Sequence, residues 1–337
     1  MDTAIFSSPH PIVAAPMAGG ATTVELCAAV AKAGGFPFLA GGYQAPQALA
    51  GKIAELRRST RDFGVNVFVP DSRAMDPAEY ARYTAEILPD MQALGVEPPA
   101  EPIHDDDHFD EKIALLTANP VAVVSFTFGL PERAVIAALQ QAGSAVLVTV
   151  TNPEEACVAA ERGVDGLVVQ AAAAGGHSAT FTPEVFPEPV DLPDLVGRVR
   201  ECVDLPLIGA GGIDGVEKVR ATLEAGASAI AVGTMLLLTD EAGTSAIHRA
   251  ALADPAFTDT ELTRAFTGKP ARALVNDFMR RHADAPTGYP EIHHLTRPMR
   301  QAAAKAGDAQ RAHLWAGTGY RHAPTGPVAD VIAALVP

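Results

Sequence analysis

The chain has 337 residues, 48% of them hydrophobic, 6% aromatic and 19% charged, and that composition excludes a disordered polymer, which would be poor in apolar residues. Asp and Glu number 40 against 25 Lys and Arg, a net charge of -15, so the surface is expected to repel nucleic acid and anionic lipid, and any bound phosphate should rest on backbone N–H groups rather than on a basic cluster. Cys27, Cys157 and Cys202 are odd in number and form no C-x-x-C pair, which disfavours a disulfide framework and a cysteine zinc site and reads as reduced, mostly buried thiols.

The chain opens on Met1 to Pro11, where Asp2 stands at the place of the Lys or Arg of a secretory leader and no long apolar run follows. Short apolar runs then recur at Ile12 to Pro16, Phe36 to Ala40, Phe63 to Val69, Val121 to Phe128, Ala145 to Val150, Gly166 to Gln170, Pro206 to Ala210 and Ala229 to Val232. They read as strands. Between them apolar residues return at helical spacing, as in Val24-Leu26-Ala29-Val30-Ala33 and Val216-Val219-Leu223, and several of these helices are predicted to stop at Gly34, Gly143, Gly163 and Gly226. Eight alternations with continuously apolar strands predict a parallel sheet covered by helices and closed as a (β/α)8 TIM barrel, with a doubly wound open sheet as the alternative. Even the longest apolar stretch, Ala227 to Leu238, is too short for a membrane span, and a soluble cytoplasmic protein is expected.

Two stretches break the rhythm. Pro70 to Pro120 is rich in proline and acid, and its His104 and His108 flank three aspartates; weighed as metal ligands, they are read instead as part of a solvated charged loop, and no metal is expected. After Leu238 the pattern is helical with no new strand. The domains predicted are a barrel of residues 1–238 and 313–337, closed by a last helix, and a helical lid or substrate domain of residues 239–312 inserted after the eighth strand, with Leu262, Phe266 and Phe278 packed on the barrel and His293-His294 as lid packing or polar surface.

A barrel places its chemistry at the C-terminal ends of the strands. The first ends in Ala15-Pro16-Met17, the third carries Asn66, and the sixth ends in Gln170 and leads to Gly175-Gly176-His177. The seventh ends in Gly211-Gly212 and the eighth in Ala231-Val232-Gly233-Thr234. Gly turns of this kind can cradle a phosphate-bearing cofactor on exposed N–H groups, or simply make tight connections. His177, whose ordinary pKa of about 6.5 suits proton transfer, is the candidate general base, against a purely structural histidine. No nucleophile elbow, Walker loop or H-E-x-x-H is present, and Gly209-x-Gly211-Gly212 lacks the third glycine and following acid of a dinucleotide fingerprint.

Taken in order, Pro11 to Gly20 with Ala33-Gly34-Gly35, then Gly64-Val65-Asn66-Val67-Phe68, then Ser125 to Pro131, then Gln170 through Gly175-Gly176-His177 resemble the four successive motifs of nitronate monooxygenases, formerly 2-nitropropane dioxygenases; the tail Leu314 to Gly319 is similar to the family's ending. The resemblance implies an FMN-dependent barrel that oxidises alkyl nitronates such as propionate 3-nitronate, and nitroalkanes, with O2 to a carbonyl compound and nitrite. It carries FMN contacts onto Asn66, Gln170, Gly175, Gly212 and Ala231 to Thr234, to which Ala15, Pro16, Met17, Gly176 and Gly211 are added, and it carries the catalytic role onto His177. Ala171, Ala173 and Ser178 replace the family's usual Gly, acid and Arg in the fourth motif, and Pro37 replaces a Gly of the first; these changes bear on the substrate rather than on FMN. The competing readings are an FMN-dependent enoyl-acyl-carrier-protein reductase using NAD(P)H, and a non-catalytic flavin-binding protein. Whether the chain forms a homo-oligomer stays open.

Overall fold

The computed structural model describes residues 4–71 and 73–337; Asp2, on which the reading of the N-terminus leans, lies outside them. Eight parallel strands form a closed barrel: β1 Ile12–Ala14, β2 Phe36–Ala40, β3 Gly64–Phe68, β4 Val123–Thr127, β5 Ala145–Val150, β6 Gly166–Gln170, β8 Leu207–Ala210 and β9 Ala229–Val232, with β9 returning to pair β1. A short β7, Gly176–His177, leaves the barrel between β6 and β8. The strands lie within a residue or two of their predicted bounds, and the open-sheet alternative falls.

The continuous apolar runs conceal an alternation. Val13, Phe36, Phe38, Val123, Leu147, Ile208 and Ala229 point into the barrel, while Ile12, Val65, Val67, Val124, Val146, Val148, Val169 and Ile230 pack outward on the helices. Both faces are buried, so both must be apolar. Toward the C-terminal end of the strands the inward positions turn polar: Asn66, Ser125, Thr127, Thr149 and Gln170 replace the aliphatic filling and floor an open mouth.

The covering helices are α1 Val24–Lys32, α2 Pro46–Leu56, α4 Phe109–Ala118, α5 Arg133–Ala142, α6 Pro153–Arg162, α7 Leu192–Cys202, α8 Val216–Glu224 and α12 Val328–Leu335. Thr23 and Asn152 accept from the first turns of α1 and α6, and Gly143 and Gly163 end α5 and α6 at φ 103° and 93°, a left-handed conformation that costs glycine little. The last helix, α12, packs between α1 and α8 and closes the ring, as expected of the tail.

The remaining elements gather over the mouth: α3 Pro77–Ala93, α9 Ala246–Ala253, the hairpin β10 Thr260–Thr263 and β11 Ala271–Leu274, α10 Asp277–Arg281 and α11 Glu291–Ala306. Residues 239–312 are not helical throughout, contrary to expectation, since β10 and β11 pair antiparallel and β11 pairs with β7, so the short strand of Gly176 and His177 is an edge of this second sheet. The stretch around His104 and His108 is an exposed loop as expected, but α3 before it packs: Tyr80, Tyr83, Ile87 and Met91 form one apolar cluster with Phe266, Phe278, Ile292, Leu295 and Met299, which is where Phe266 and Phe278 pack instead of on the barrel. Asp90 ties the two segments further, accepting from Arg281 (2.6 Å), Arg311 (2.8 Å) and His282 (2.9 Å). Of the cysteines, Cys27 is buried, Cys157 intermediate and Cys202 exposed. No helix among the described residues is long and apolar enough to cross a membrane.

Candidate active site

A cavity of about 600 Å³ opens between the barrel mouth and the elements above it; Pro37, Ala171, Ala173 and Ser178 do not line it, whereas every residue expected to contact FMN or act in catalysis does: Ala15, Pro16, Met17, Asn66, Gln170, Gly175, Gly176, His177, Gly211, Gly212, Ala231, Val232, Gly233 and Thr234. The strand ends have brought them together from across the chain.

Asn66, buried on β3, donates through Nδ2 to Ser125 O, Ser125 Oγ and Thr127 Oγ1 at 3.0 to 3.2 Å, which fixes the amide and leaves Oδ1 on the cavity side. Gln170 does a different job. Its Nε2 donates to His177 O at 3.1 Å and its Oε1 accepts from Ala179 N at 2.8 Å, so it braces both ends of the segment that carries the histidine. Glu155, buried on α6, extends the brace by accepting from Thr180 Oγ1 at 3.1 Å and Phe181 N at 2.8 Å. No sequence signal marked Glu155, since it sits on a helical face like any solvated acid.

The turns after β8 and β9 are tight. Gly211 and Gly212 have φ 102° and 72°, and a Cβ on Gly211 would come within 2.9 Å of Ala174. The N–H groups of Gly212, Gly233 and Thr234 donate to no backbone carbonyl among the described residues. Thr234 Oγ1 accepts from Gly317 N at 3.0 Å, and Thr318 N donates to Ala173 O at 3.1 Å, so the tail strip Leu314 to Gly319 lies across these turns. Gly175 serves that strip: a Cβ there would sit 2.5 Å from Gly317 N. The Ala residues of the fourth motif are compatible with the same loop, with Ala172 O held by Arg272 Nε at 2.7 Å and Ser178 N donating to Pro270 O at 2.8 Å.

His177 stands at the boundary between barrel and cover. Its Nε2 lies 2.9 Å from Thr267 Oγ1, and Nδ1 makes no hydrogen bond among the described residues. Phe128 and Trp315 flank the ring, each at 5.3 Å, and Tyr289 lies beyond at 6.3 Å. Burial in this aromatic box, with the cations Lys269 and Arg300 nearby, pushes the imidazole down to about 3, although the residue is only half-buried and lines the open cavity. It is therefore neutral near neutral pH.

Several cavity residues were not anticipated. Tyr43 and Phe128 hold left-handed backbone at φ 62° and 78°, conformations costly for a bulky residue, and both rings turn into the mouth after β2 and β4. Tyr43 stacks on His293 at 4.4 Å with planes 7° apart, so His293 belongs to the cavity wall rather than to a polar surface. Arg297, Arg300 and Gln301 of α11, with His248 and His313, line the far side. A left-handed backbone has no sequence mark when the residue is aromatic, and α11 could be placed only once its partner α3 was known.

Comparison with known proteins agrees with this arrangement. Residues 3–337 match the family model described as nitronate monooxygenase. A probable nitronate monooxygenase of Staphylococcus saprophyticus is 34% identical over 325 residues, covering 95% of this chain and 91% of that protein. A solved nitroalkane oxidase from Streptomyces ansochromogenes superposes with a TM-score of 0.91 at 44% identity, covering 97% and 95% of the two chains. FabK from Thermotoga maritima, at 24% identity and a TM-score of 0.75, shares the fold alone. The match spans the whole barrel and its cover, and the chain belongs to the nitronate monooxygenase family of flavin-dependent oxidoreductases.

Proposed function

We propose that the cavity holds FMN non-covalently and that the enzyme oxidises alkyl nitronates, propionate 3-nitronate among them, with O2 to a carbonyl compound and nitrite, nitroalkanes being the poorer substrates. The observation that carries this reading is the convergence on one cavity of Asn66, the two Gly turns and the Nδ1 of His177, which has no hydrogen-bond partner among the described residues.

The residues present fit a flavin phosphate. The turns after β8 and β9 offer unused N–H groups, run flush because no side chain fits at Gly211, and contain no cationic side chain, as expected if backbone dipoles hold the anion. Asn66 Oδ1 is free to accept from the edge of an isoalloxazine, and Gln170 acts at one remove by fixing His177. FMN, when bound, supplies the electron acceptor and the place where oxygen is reduced.

The chain's own residues then have three tasks. Phe128, Tyr289, Trp315 and the cluster of α3, α11 and the β10–β11 hairpin exclude water, and we assign residues 239–312 together with α3 as the lid. Thr267 fixes the histidine ring through Nε2, so Nδ1 is the atom presented to substrate. That nitrogen can take the α-proton of a nitroalkane, but an imidazole held near 3 is a weak base, which favours a substrate that arrives already ionised.

The test is an aerobic nitrite assay over a panel of nitronates and their parent nitroalkanes, run with the purified protein after its visible spectrum is recorded. A yellow protein that releases nitrite, faster from nitronates, is expected. A colourless protein whose melting temperature ignores added FMN would overturn the cofactor, and NADPH-driven reduction without nitrite would overturn the reaction.

A further inference from the structure

Lys112, Lys269 and Arg300 are buried cations, each 5% exposed or less. Two of them meet a carboxylate: Lys112 Nζ lies 2.7 Å from Asp107 Oδ2, and Lys269 Nζ 3.9 Å from Asp71 Oδ2. Arg300 meets none among the described residues, in a chain that carries 40 acids against 25 bases. Its Nε donates to Thr296 Oγ1 at 3.0 Å, and its Nη2 donates to His293 O at 2.9 Å and lies 3.3 Å from His293 Nδ1. Nη1 makes no hydrogen bond among the described residues, and the residue lines the cavity. The ionisable groups that couple to it are Tyr43, Tyr289 and Arg297, together with the imidazoles of His177, His293 and His313. None is an acid.

A buried charge is tolerated when it is paired, and the guanidinium stays charged near neutral pH, burial lowering it only to about 10. No such partner stands among the described residues, and the one required belongs to what the cavity binds. We propose that Arg300 is the counter-ion of the substrate's anionic head, with an N–H of Nη1 donating to an oxygen of the oxyanion, so that this residue makes the site select the ionised form of its substrate. A hydrogen bond from a charged donor to a charged acceptor is roughly twice as strong as a neutral one, so a single such contact already separates the anion from its neutral parent. This inference rests on the reading above that nitronates are the substrates, and adds the residue that reads their charge. Arg297, exposed at the cavity's edge, carries a second positive charge along the path inward.

The probe is sodium nitrate, a planar oxyanion with no carbon to oxidise, titrated into the holoenzyme while flavin absorbance and melting temperature are followed. Wild-type protein is expected to show saturable perturbation and stabilisation, with nitrate competing against nitronate. In Arg300→Met the nitrate Kd and the nitronate KM should rise roughly ten- to a hundred-fold, the loss expected for one charge-assisted contact. The kcat should fall less than KM rises, neutral nitroethane should suffer less than nitronate, and Arg300→Lys should recover part of the affinity. Absence of nitrate binding to the wild type overturns the proposal whether or not the variants fold. So does an equal loss on both substrate forms, or loss of FMN from Arg300→Met with nitrate affinity intact, which would place the cofactor's phosphate at this residue. If nitrate binds in an Arg300-dependent way but no nitronate yields nitrite, the anion site stands and the proposed reaction fails; melting temperature decides even if the protein is colourless.

Discussion

A histidine held neutral across the physiological range is available as a proton acceptor but attracts no anion by charge, and His177 is placed in that state by burial and by the positive charges of Lys269 and Arg300. His177→Ala is expected to cost about 10² to 10⁴-fold in kcat/KM with nitroalkanes, the usual worth of general-base assistance, and clearly less with preformed nitronates, while FMN is retained. Steady-state assays on both substrate forms check this, and equal, complete loss on both would assign the ring more than proton transfer. A second expectation needs no substrate: the His177 ring protons should show no titration between pH 5 and about 8 by NMR, because the ordinary value of 6.5 has moved to about 3. An inflection near 6.5 would mean that the aromatic box is open to water.

At the scale of elements, the segment between β3 and β4 decides how the cover is anchored. Asp107 accepts from Tyr43 N at 3.0 Å and pairs with the fully buried Lys112, His104 Nδ1 lies 2.8 Å from Glu291 Oε1, and Asp105 Oδ2 lies 2.7 Å from His294 Nε2. The acidic run therefore clasps the start of α11 and the left-handed turn at Tyr43. Burial raises the Asp107 carboxyl even though Lys112 and the Tyr43 N–H oppose it, so the pair does not fully offset its own desolvation. Asp107→Ala, which leaves Lys112 buried and alone, should cost about 3 to 5 kcal/mol, whereas Asp107→Leu with Lys112→Met should recover most of that loss. Urea denaturation of the two variants checks this; equal destabilisation would make the carboxylate's hydrogen bond to Tyr43, rather than the ion pair, the important contact.

For the whole molecule, the cavity histidines set the response to acid. Burial lowers His177 to about 3 and His248 to about 4, and with the charge of Arg300 it lowers His293 and His313 as well. The folded pKa lies below the unfolded one, so between the two the unfolded chain binds more protons. The stability these neutral rings allow is fully present above the unfolded value of 6.5 and is lost as pH falls from there toward the folded values. Each such histidine contributes a slope of up to about 1.4 kcal/mol per pH unit in that window. The melting temperature should accordingly decline from about pH 6.5 downward, well before the carboxylate range is reached. A plateau down to pH 5 would show the cavity histidines to be solvated. Asp90 acts lower: hydrogen bonds from His282 and Arg281 outweigh its burial and hold it below the usual carboxylate range, so its contribution persists above that range and is lost only as pH falls through its own depressed value.

The sequence by itself determined the barrel, because strand and helix periods are local and because a strand buried on both faces must be apolar along its length; Ile12, Val65, Val146 and Ile230 declare that without reference to one another. It also determined the strand-end residues of the cavity, since closing a barrel brings every C-terminal strand end to one rim, whatever their separation along the chain. It did not determine the cover. α3 lies about two hundred residues from α11 in the chain, its polar face resembles a solvated helix, and only the shared cluster of Tyr83, Phe266 and Leu295 identifies it as part of the cover over the mouth. Nor could Arg300 or Glu155 be read in advance. Each is one charged residue on an amphipathic helix, and what sets it apart is the set of neighbours it meets: a backbone loop for Glu155, and for Arg300 a cavity with no carboxylate among the described residues. Charge compensation is a property of three-dimensional neighbourhoods, so the tertiary structure alone could show which cation lacks its partner.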